Sequence, residues 1–433
     1  MLQGSMLVFL PDSGHVVPIR YSALFMTDAT TILVSINADD RPGITAGLME
    51  VLSRTGAEIY DVEQIVVRGR LTLNILIGVG ESRATISELL FYGWEKDLRI
   101  EFDAIEASPE EPALSHVVTV IGARVSPQDF GAVAEAIASG GGNIDRIFRL
   151  SRYPVISYEL AVSGGDPVAI RQGLLEAASA SPIDVAIQPE SLDRRAKRLV
   201  VMDVDSTLIQ GEIIDVLAER AGVGTEVAML TAQAMAGEIE FEPALRKRAA
   251  MLAGLPVSVF DEVNAEIQPT PGARTFVRTL RRMGMKTAIV SAGFTRFTDS
   301  FAESLGIDYS LANTLEVKDG VLTGQVEGRV VDRARKAEFL RELADREGIT
   351  LSQTVAVGDG ANDLDMLAAA GLGIAFNAKQ LVKDNADTSL SVPYLDAILF
   401  VMGVRREHVE AADALDPDLA GGSPIPVPGT PPI

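Results

Sequence analysis

Residues 198–208 read Arg-Leu-Val-Val-Met-Asp-Val-Asp-Ser-Thr-Leu, and this stretch decides the fold. Leu199 to Met202 is an unbroken apolar run, which predicts a strand buried on both faces of a parallel sheet. The run ends in two carboxylates, Asp203 and Asp205. In open α/β sheets, ligands bind in the crevice beyond the carboxyl ends of the strands. Two acids in that position carry a large desolvation cost unless a cation or a reaction uses them. Taken alone, the stretch also fits a polar strand end that caps the next helix.

Downstream, residues 210–270 carry helical periodicity, as in Ile213, Ile214, Val216 and Leu217, with few strand signals. They interrupt the strand–helix alternation directly after the first strand and are expected to form a helical cap over the strand ends. Alternation then resumes. Thr287–Val290 is expected as a strand ending in Ser291-Ala-Gly-Phe294, and Lys318-Asp-Gly320 as a hairpin turn. Lys336 opens a helical pattern. Thr354–Val357 is expected as a strand ending in Gly358-Asp-Gly-Ala-Asn-Asp363, followed by another at 371–376. From about 414 to 433 the chain is rich in Pro and Gly and is expected to be disordered.

Three strands thus end in Asp203/Asp205, Ser291 and Asp359/Asp363, and in a parallel sheet those ends converge. Carboxylates without Cys or His make a hard-oxygen site suited to Mg2+. An EF-hand loop starting at Asp203 fails, because Thr207 and Leu208 stand where such a loop wants a ligand and a glycine. Serine-hydrolase chemistry at Ser291 fails for want of a base and of the nucleophile-elbow sequence. Lys336 and the amides of the 203–207 turn supply positive charge for a phosphoryl group, whose transfer needs mainly positioning and charge neutralisation. An aspartate can be the nucleophile, and an acid two residues on can protonate the leaving alcohol and then activate water.

Upstream lies a charged segment, Asp193-Arg-Arg-Ala-Lys-Arg198, expected to be a linker and a domain boundary. Before it the order βαββαβ occurs twice. The first copy has strands at 31–38, 57–68, 70–79 and 98–106, with helices at 44–52 and 82–93. In the second, strands fall at 116–123, 143–152, 155–163 and 183–189, with helices at 126–139 and 166–179. An offset of 85 residues lays Gly56-Ala-Glu-Ile59 on Gly141-Gly-Asn-Ile144, the signature of an internal duplication. Each copy is expected to be a ferredoxin-like sheet with helices on one face. Residues 1–28 show no period.

Composition excludes several function classes. The chain has 433 residues, no cysteine, three histidines and a formal net charge of −22. Disulfides and thiolate chemistry are absent, and His15, His116 and His408 lie away from the acidic motifs. So acidic a surface argues against nucleic acid and anionic lipid as partners. No apolar run reaches the length of a membrane span, and Met6–Leu10 is too short for a signal peptide, so a cytoplasmic location is expected.

The Asp-Val-Asp-Ser-Thr207 run, Ser291, Lys336 and Gly358-Asp-Gly-Ala-Asn-Asp363 resemble, in order, the four motifs of haloacid dehalogenase superfamily phosphatases. The resemblance covers roughly 198–405. It implies an α/β, Rossmann-like catalytic domain with Asp203 as nucleophile, Asp205 as general acid/base, and Ser291 and Lys336 on the phosphoryl oxygens. It also implies Mg2+ held by Asp203, the Asp205 carbonyl and Asp359, with Asp363 in support. Glu212 and the stretch Gly237–Arg248 are similar to the cap of phosphoserine phosphatases. That likeness implies Arg248 on the substrate carboxylate, Glu212 on the ammonium, Phe241 and Met235 on the apolar side, and Ala292, Gly293 and Asn362 at the substrate. The family often has Gly where Ala292 stands, which is expected to crowd the phosphate loop.

The two upstream copies, 29–108 and 114–190, resemble tandem ACT domains, the amino-acid-sensing modules of metabolic enzymes. The first carries an Asp40-x-Pro-Gly43 turn, whereas the second has Gln128 in place of Gly43, so the two ligand sites cannot be equivalent. Together these resemblances imply hydrolysis of O-phospho-L-serine as the last step of serine synthesis. They further imply feedback by L-serine at the ACT region and a homodimer or higher homo-oligomer. A phosphotransferase on the same fold and an amino-acid sensor with an inactive phosphatase domain are the rival readings. Retention of Asp203, Asp205, Lys336 and Asp359 argues against the sensor.

Overall fold

The computed structural model describes residues 3–9, 16–22, 30–79, 84–105, 114–235, 239–417 and 419, and the chain divides into two compact units, Met1–Glu111 and Pro112–Ile433. In the first unit, strands β1 (Gln3–Phe9) and β2 (Val16–Ser22) pair as an antiparallel hairpin, where the sequence shows no period. Strands β3 (Thr30–Asp39), β4 (Glu58–Val67), β5 (Arg70–Val79) and β6 (Arg99–Ile105) form an antiparallel sheet in the order β4-β5-β3-β6. Alternation sets its buried face: Ile32, Val34 and Ile36 of β3 and Leu71, Leu73, Ile75 and Ile77 of β5 are buried with Ile44, Leu48, Val51 and Leu52 of the helix Ile44–Thr55. That helix starts at Gly43, whose φ of 95° is one that L side chains rarely adopt.

The second unit opens with the same topology. Strands β7 (Leu114–Gly122), β8 (Gly142–Ser151), β9 (Ile156–Gly164) and β10 (Asp184–Pro189) are ordered β10-β7-β9-β8. Here the first helix is capped by a side chain instead: Ser126 and Asp129 form a reciprocal capping box ahead of Pro127–Ser139. One face of this sheet packs on its own helices through Val118, Val120, Leu160 and Val162. From the other, Ile121, Leu150, Val155 and Ala186 enter the largest core of the chain. The charged 193–198 segment joins this sheet to the next, and its Arg194 and Lys197 are buried. Arg194 pairs with Glu159, and Lys197 Nζ donates to the Ser352 carbonyl at 2.6 Å. Gln188 Nε2 and Thr388 Oγ1 add bonds to the Val401 and Val185 carbonyls. Hydrophobic burial therefore continues across the segment, so the sheets on either side of it share one compact unit, which begins at Pro112.

Beyond it stand β11 (Leu199–Met202), β12 (Lys286–Phe294), β13 (Tyr309–Lys318), β14 (Val321–Glu327), β15 (Thr354–Gly358), β16 (Gly373–Phe376) and β17 (Thr388–Leu390). Their order is β14-β13-β12-β11-β15-β16-β17, with every pair parallel except the β13–β14 hairpin. β11 lies at the centre. Leu199 and Val201 face one core while Val200 and Met202 face the other, which is why the strand is apolar throughout. Four helices follow β11: Ile213–Arg220, Gly224–Met235, Phe241–Ala250 and Val259–Glu266. The ordered chain also extends past 405, since the helix Arg406–Ala414 buries Val409 in the largest core. Of the expected disordered tail, residues 420–433 lie outside the described residues. No helix among the described residues is long and apolar enough to cross a membrane.

Candidate active site

Parallel register brings the acids together. Met202 pairs with Val357, so β11 and β15 end side by side, and the Asp203 amide donates to the Val357 carbonyl at 2.8 Å. After Asp203 the chain turns tightly. The amides of Thr207, Leu208 and Ile209 all donate to the Val204 carbonyl, at 3.2, 2.9 and 3.0 Å. Ser206 takes a φ of 57° in this turn, a left-handed conformation costly for a residue with a Cβ.

Lys336, fully buried on the helix Arg333–Glu347, joins the two strand ends. Its Nζ lies 2.7 Å from Asp203 Oδ1 and 2.6 Å from Asp363 Oδ1. Burial alone would push the ammonium down, but the charges of Asp203 and Asp363 outweigh it and hold Lys336 above its ordinary value. Asp203 is pushed well up by burial and then by Asp363, against the pull of Lys336. Asp359 is raised to about 6 by burial and by Asp363. One carboxylate oxygen from each of Asp203, Asp359 and Asp363 lies within 4.8 Å of the others. Oxygen-only donors in excess over their one buried cation, with repulsion raising Asp203 and Asp359, fit a hard divalent ion.

Asp205 does not join that cluster by its side chain. Its Oδ1 accepts from the Ile213 amide at 2.9 Å, and its Oδ2 accepts from the Ser291 hydroxyl at 2.8 Å. Burial raises its carboxyl above the ordinary range, and those two bonds oppose the shift.

Ser291 was expected at a strand end, but β12 runs on to Phe294. Val290 pairs with Leu311 and Phe294 with Asn313, so three residues of β12 face one of β13. This bulge lifts Ser291, Ala292 and Gly293 out of the ladder. The Gly293 amide donates to Ser291 Oγ at 2.7 Å. A Cβ on Gly293 would stand 2.9 Å from Ser291 Oγ and 3.0 Å from Asp205 Oδ2, so glycine is needed there. Ala292 is outside the left-handed region, and its backbone makes no demand for glycine.

The cap residues sit apart from this cluster but within its field. Glu212 accepts from Ser206 Oγ at 3.2 Å, and its carboxyl is raised to about 7 by loss of hydration and by Asp205 and Asp359. Arg248 Nη1 donates to Thr231 Oγ1 at 3.2 Å, while its Nε is buried with no hydrogen-bond partner. Burial holds the guanidinium below its ordinary value, with Glu212, Asp215 and Asp205 acting the other way. Phe241 opens its helix, half-buried against the largest core. Asn362 lies in the short helical turn 361–363. The Met235 side chain lies outside the described residues. In the first unit, the Asp40 amide donates to the Gly69 carbonyl at 2.7 Å, and Gly43 heads its helix with no side-chain cap.

Sequence reasoning missed Thr231, Asp215 and Asn313. The first two lie in the helical periodicity of the cap and carry no motif. Asn313 sits inside a strand pattern, where a single polar residue reads as surface.

Comparison with known proteins gives three domain matches: haloacid dehalogenase-like hydrolase over residues 200–368 and ACT domain over 30–103 and over 114–188. A phosphoserine phosphatase of Streptomyces coelicolor is 49% identical over 93% of this chain and 99% of its own. One from Mycobacterium tuberculosis is 45% identical over 90% of this chain and 97% of its own. Among solved structures, an unliganded probable phosphoserine phosphatase from Vibrio cholerae matches with a TM-score of 0.54 at 35% identity, covering 69% of this chain and 89% of that one.

Proposed function

This chain belongs to the phosphoserine phosphatases, haloacid dehalogenase-like hydrolases here joined to two ACT domains, and we propose that it hydrolyses O-phospho-L-serine through Asp203. The observation that carries the reading is the fixing of Asp203 by Lys336, beside an Asp205 that is held above the ordinary carboxyl range.

With Oδ1 held by Lys336, Asp203 Oδ2 attacks phosphorus as the bond to the serine oxygen breaks. Asp205 gives its proton to the leaving oxygen, then takes one from the water that attacks the aspartyl-phosphate, and phosphate leaves. The Ser291 hydroxyl and the Lys336 ammonium bind phosphoryl oxygens. Asp203, the Asp205 carbonyl and Asp359 would hold Mg2+, with Asp363 in support. When bound, the ion neutralises charge on the phosphoryl group.

Arg248 offers a buried, unpartnered Nε toward the substrate carboxylate, in the bidentate manner guanidinium favours. Glu212 takes the ammonium, Phe241 and Met235 close the apolar side, and Ala292, Gly293 and Asn362 stand at the substrate.

The product is L-serine, which makes this the final step of serine synthesis, in a cytoplasmic enzyme. L-serine also binds the first ACT domain at the Asp40–Gly43 turn and inhibits. The helix start at Gly43, which has no side-chain cap, supports this, since amides at a helix N-terminus suit a carboxylate. A homo-oligomer forms through the ACT region. Support comes from β4, a sheet edge that exposes Ile59, Val62, Ile65, Val66 and Val67.

Phosphate release from O-phospho-L-serine, with and without Mg2+ and beside Asp203→Asn, tests the reaction. Release that needs Mg2+ and vanishes in the variant is expected. Release from other esters but not from phosphoserine would discard the substrate and keep the mechanism. Inhibition by L-serine that survives Gly43→Val would count against the regulatory site.

A further inference from the structure

The bulge in β12 takes residues 291–293 out of register with β13, and a buried polar group of the backbone needs a partner when its ladder is interrupted. Asn313 supplies one. Its side chain is 1% exposed, and Nδ2 donates to the Ala292 carbonyl at 2.7 Å. Its Oδ1 accepts from the Val331 amide at 2.8 Å, just before the helix that carries Lys336. One amide side chain therefore ties the Ser291 loop to the segment leading into Lys336, with a distinct job for each end.

The peptide joining Ala292 to Gly293 is planar and trans, so its carbonyl and its N–H point in opposite directions. Fixing the carbonyl on Asn313 fixes the N–H as well, and that N–H is the one donated to Ser291 Oγ. With a donor already on its oxygen, the Ser291 hydroxyl directs its own proton at Asp205 Oδ2. The chain of bonds runs Asn313, peptide 292–293, Ser291, Asp205.

We propose that Asn313 is a positioning residue for the reaction, holding the 292–293 peptide so that Ser291 Oγ keeps its place beside Asp205, from which its proton can turn to a phosphoryl oxygen when substrate is bound. The inference rests on the proposed roles of Ser291 and Asp205. Asn313→Asp keeps the shape and the acceptor for Val331 but faces the Ala292 carbonyl with an oxygen. Asn313→Ala, the second variant, removes both bonds.

The test is a double-mutant cycle on phosphoserine hydrolysis by the full chain, with a crystal structure of either variant. Alone, each Asn313 variant is expected to lower kcat/KM by about 10- to 100-fold, as small misplacements at a reacting centre do. In a Ser291→Ala background the further loss should be under about threefold, because both changes cut one chain of bonds. A full, additive loss in that background would overturn the proposal, as that is what general damage to the fold produces. The crystal structure should show the 292–293 peptide turned and Ser291 Oγ away from Asp205; an unchanged peptide would likewise overturn it. If the unmutated chain does not hydrolyse phosphoserine, the substrate reading fails, and the peptide orientation still decides the role of Asn313.

Discussion

Lys336 Nζ lies 2.7 Å from Asp203 Oδ1, and both side chains are almost wholly buried. The pair does not stand alone, because the same ammonium lies 2.6 Å from Asp363. Removing it leaves two buried carboxylates facing each other with no cation. Lys336→Met is therefore expected to abolish activity and to cost about 3 kcal/mol or more, the usual result of breaking a buried pair from one side. Urea denaturation of the metal-free variant checks the stability, and the loss should shrink as pH falls and the carboxyls take up protons. A variant as stable as the parent at neutral pH would contradict the electrostatic account.

A second expectation concerns pH and metal. In the metal-free chain, Asp359 is raised from 3.8 to about 6, chiefly by burial and then by Asp363. The folded state thus binds this proton more tightly than the unfolded state. The stability it confers is full below the unfolded value and is lost as pH rises through about 6. A divalent cation needs the charged carboxylate, so protons and metal compete. Mg2+ should raise the melting temperature more at about pH 8 than at about pH 5. Thermal melts in EDTA and in Mg2+ at both pH values measure this. Equal shifts at the two would argue against Asp359 as a ligand.

A third concerns Gly293, whose Cα faces the side-chain oxygens of Ser291 and Asp205. An added Cβ would stand 2.9 Å from Ser291 Oγ and 3.0 Å from Asp205 Oδ2. Neither oxygen is free to retreat, as Ser291 is held by the Gly293 amide and Asp205 by the Ile213 amide. Gly293→Ala is expected to reduce kcat by about 100-fold through displacement of both groups, with little change in thermal stability. Steady-state kinetics beside a melting curve would reveal it. Unaltered kcat would mean that the loop relaxes without moving the hydroxyl.

Much of this could be read from residue types. Leu199–Met202 is apolar because both faces of β11 are covered, and that alone announces a central parallel strand. Asp203, Asp205, Asp359 and Asp363 stand at strand ends where unpaired charge needs a reason. Three features were not legible. The bulge at 291–293 depends on how β12 pairs with β13, and register between distant strands leaves no local mark. Asn313 matters only through that bulge. The 193–198 segment reads as a charged linker, and nothing in it announces that Arg194 and Lys197 are buried by partners at Glu159 and Ser352, far away in sequence. Tertiary pairing overrides the polarity of the segment in that case.

The fourth expectation follows from Arg194. Its side chain is 5% exposed and pairs with Glu159 of β9, which is 18% exposed, while Glu190 stands nearby. Arg194→Leu would strand Glu159 in a place water reaches poorly, whereas Glu190 keeps Arg195 at 2.9 Å. A loss of about 3 kcal/mol is expected from that single change. Replacing Glu159 by Leu as well removes the stranded charge together with its desolvation cost, so the double variant should recover a good part of the loss. Chemical denaturation of the parent, the two single variants and the double variant gives the coupling directly. Additive losses would show that packing around Arg194, and not the charge pair, holds Leu192–Arg195 to β9.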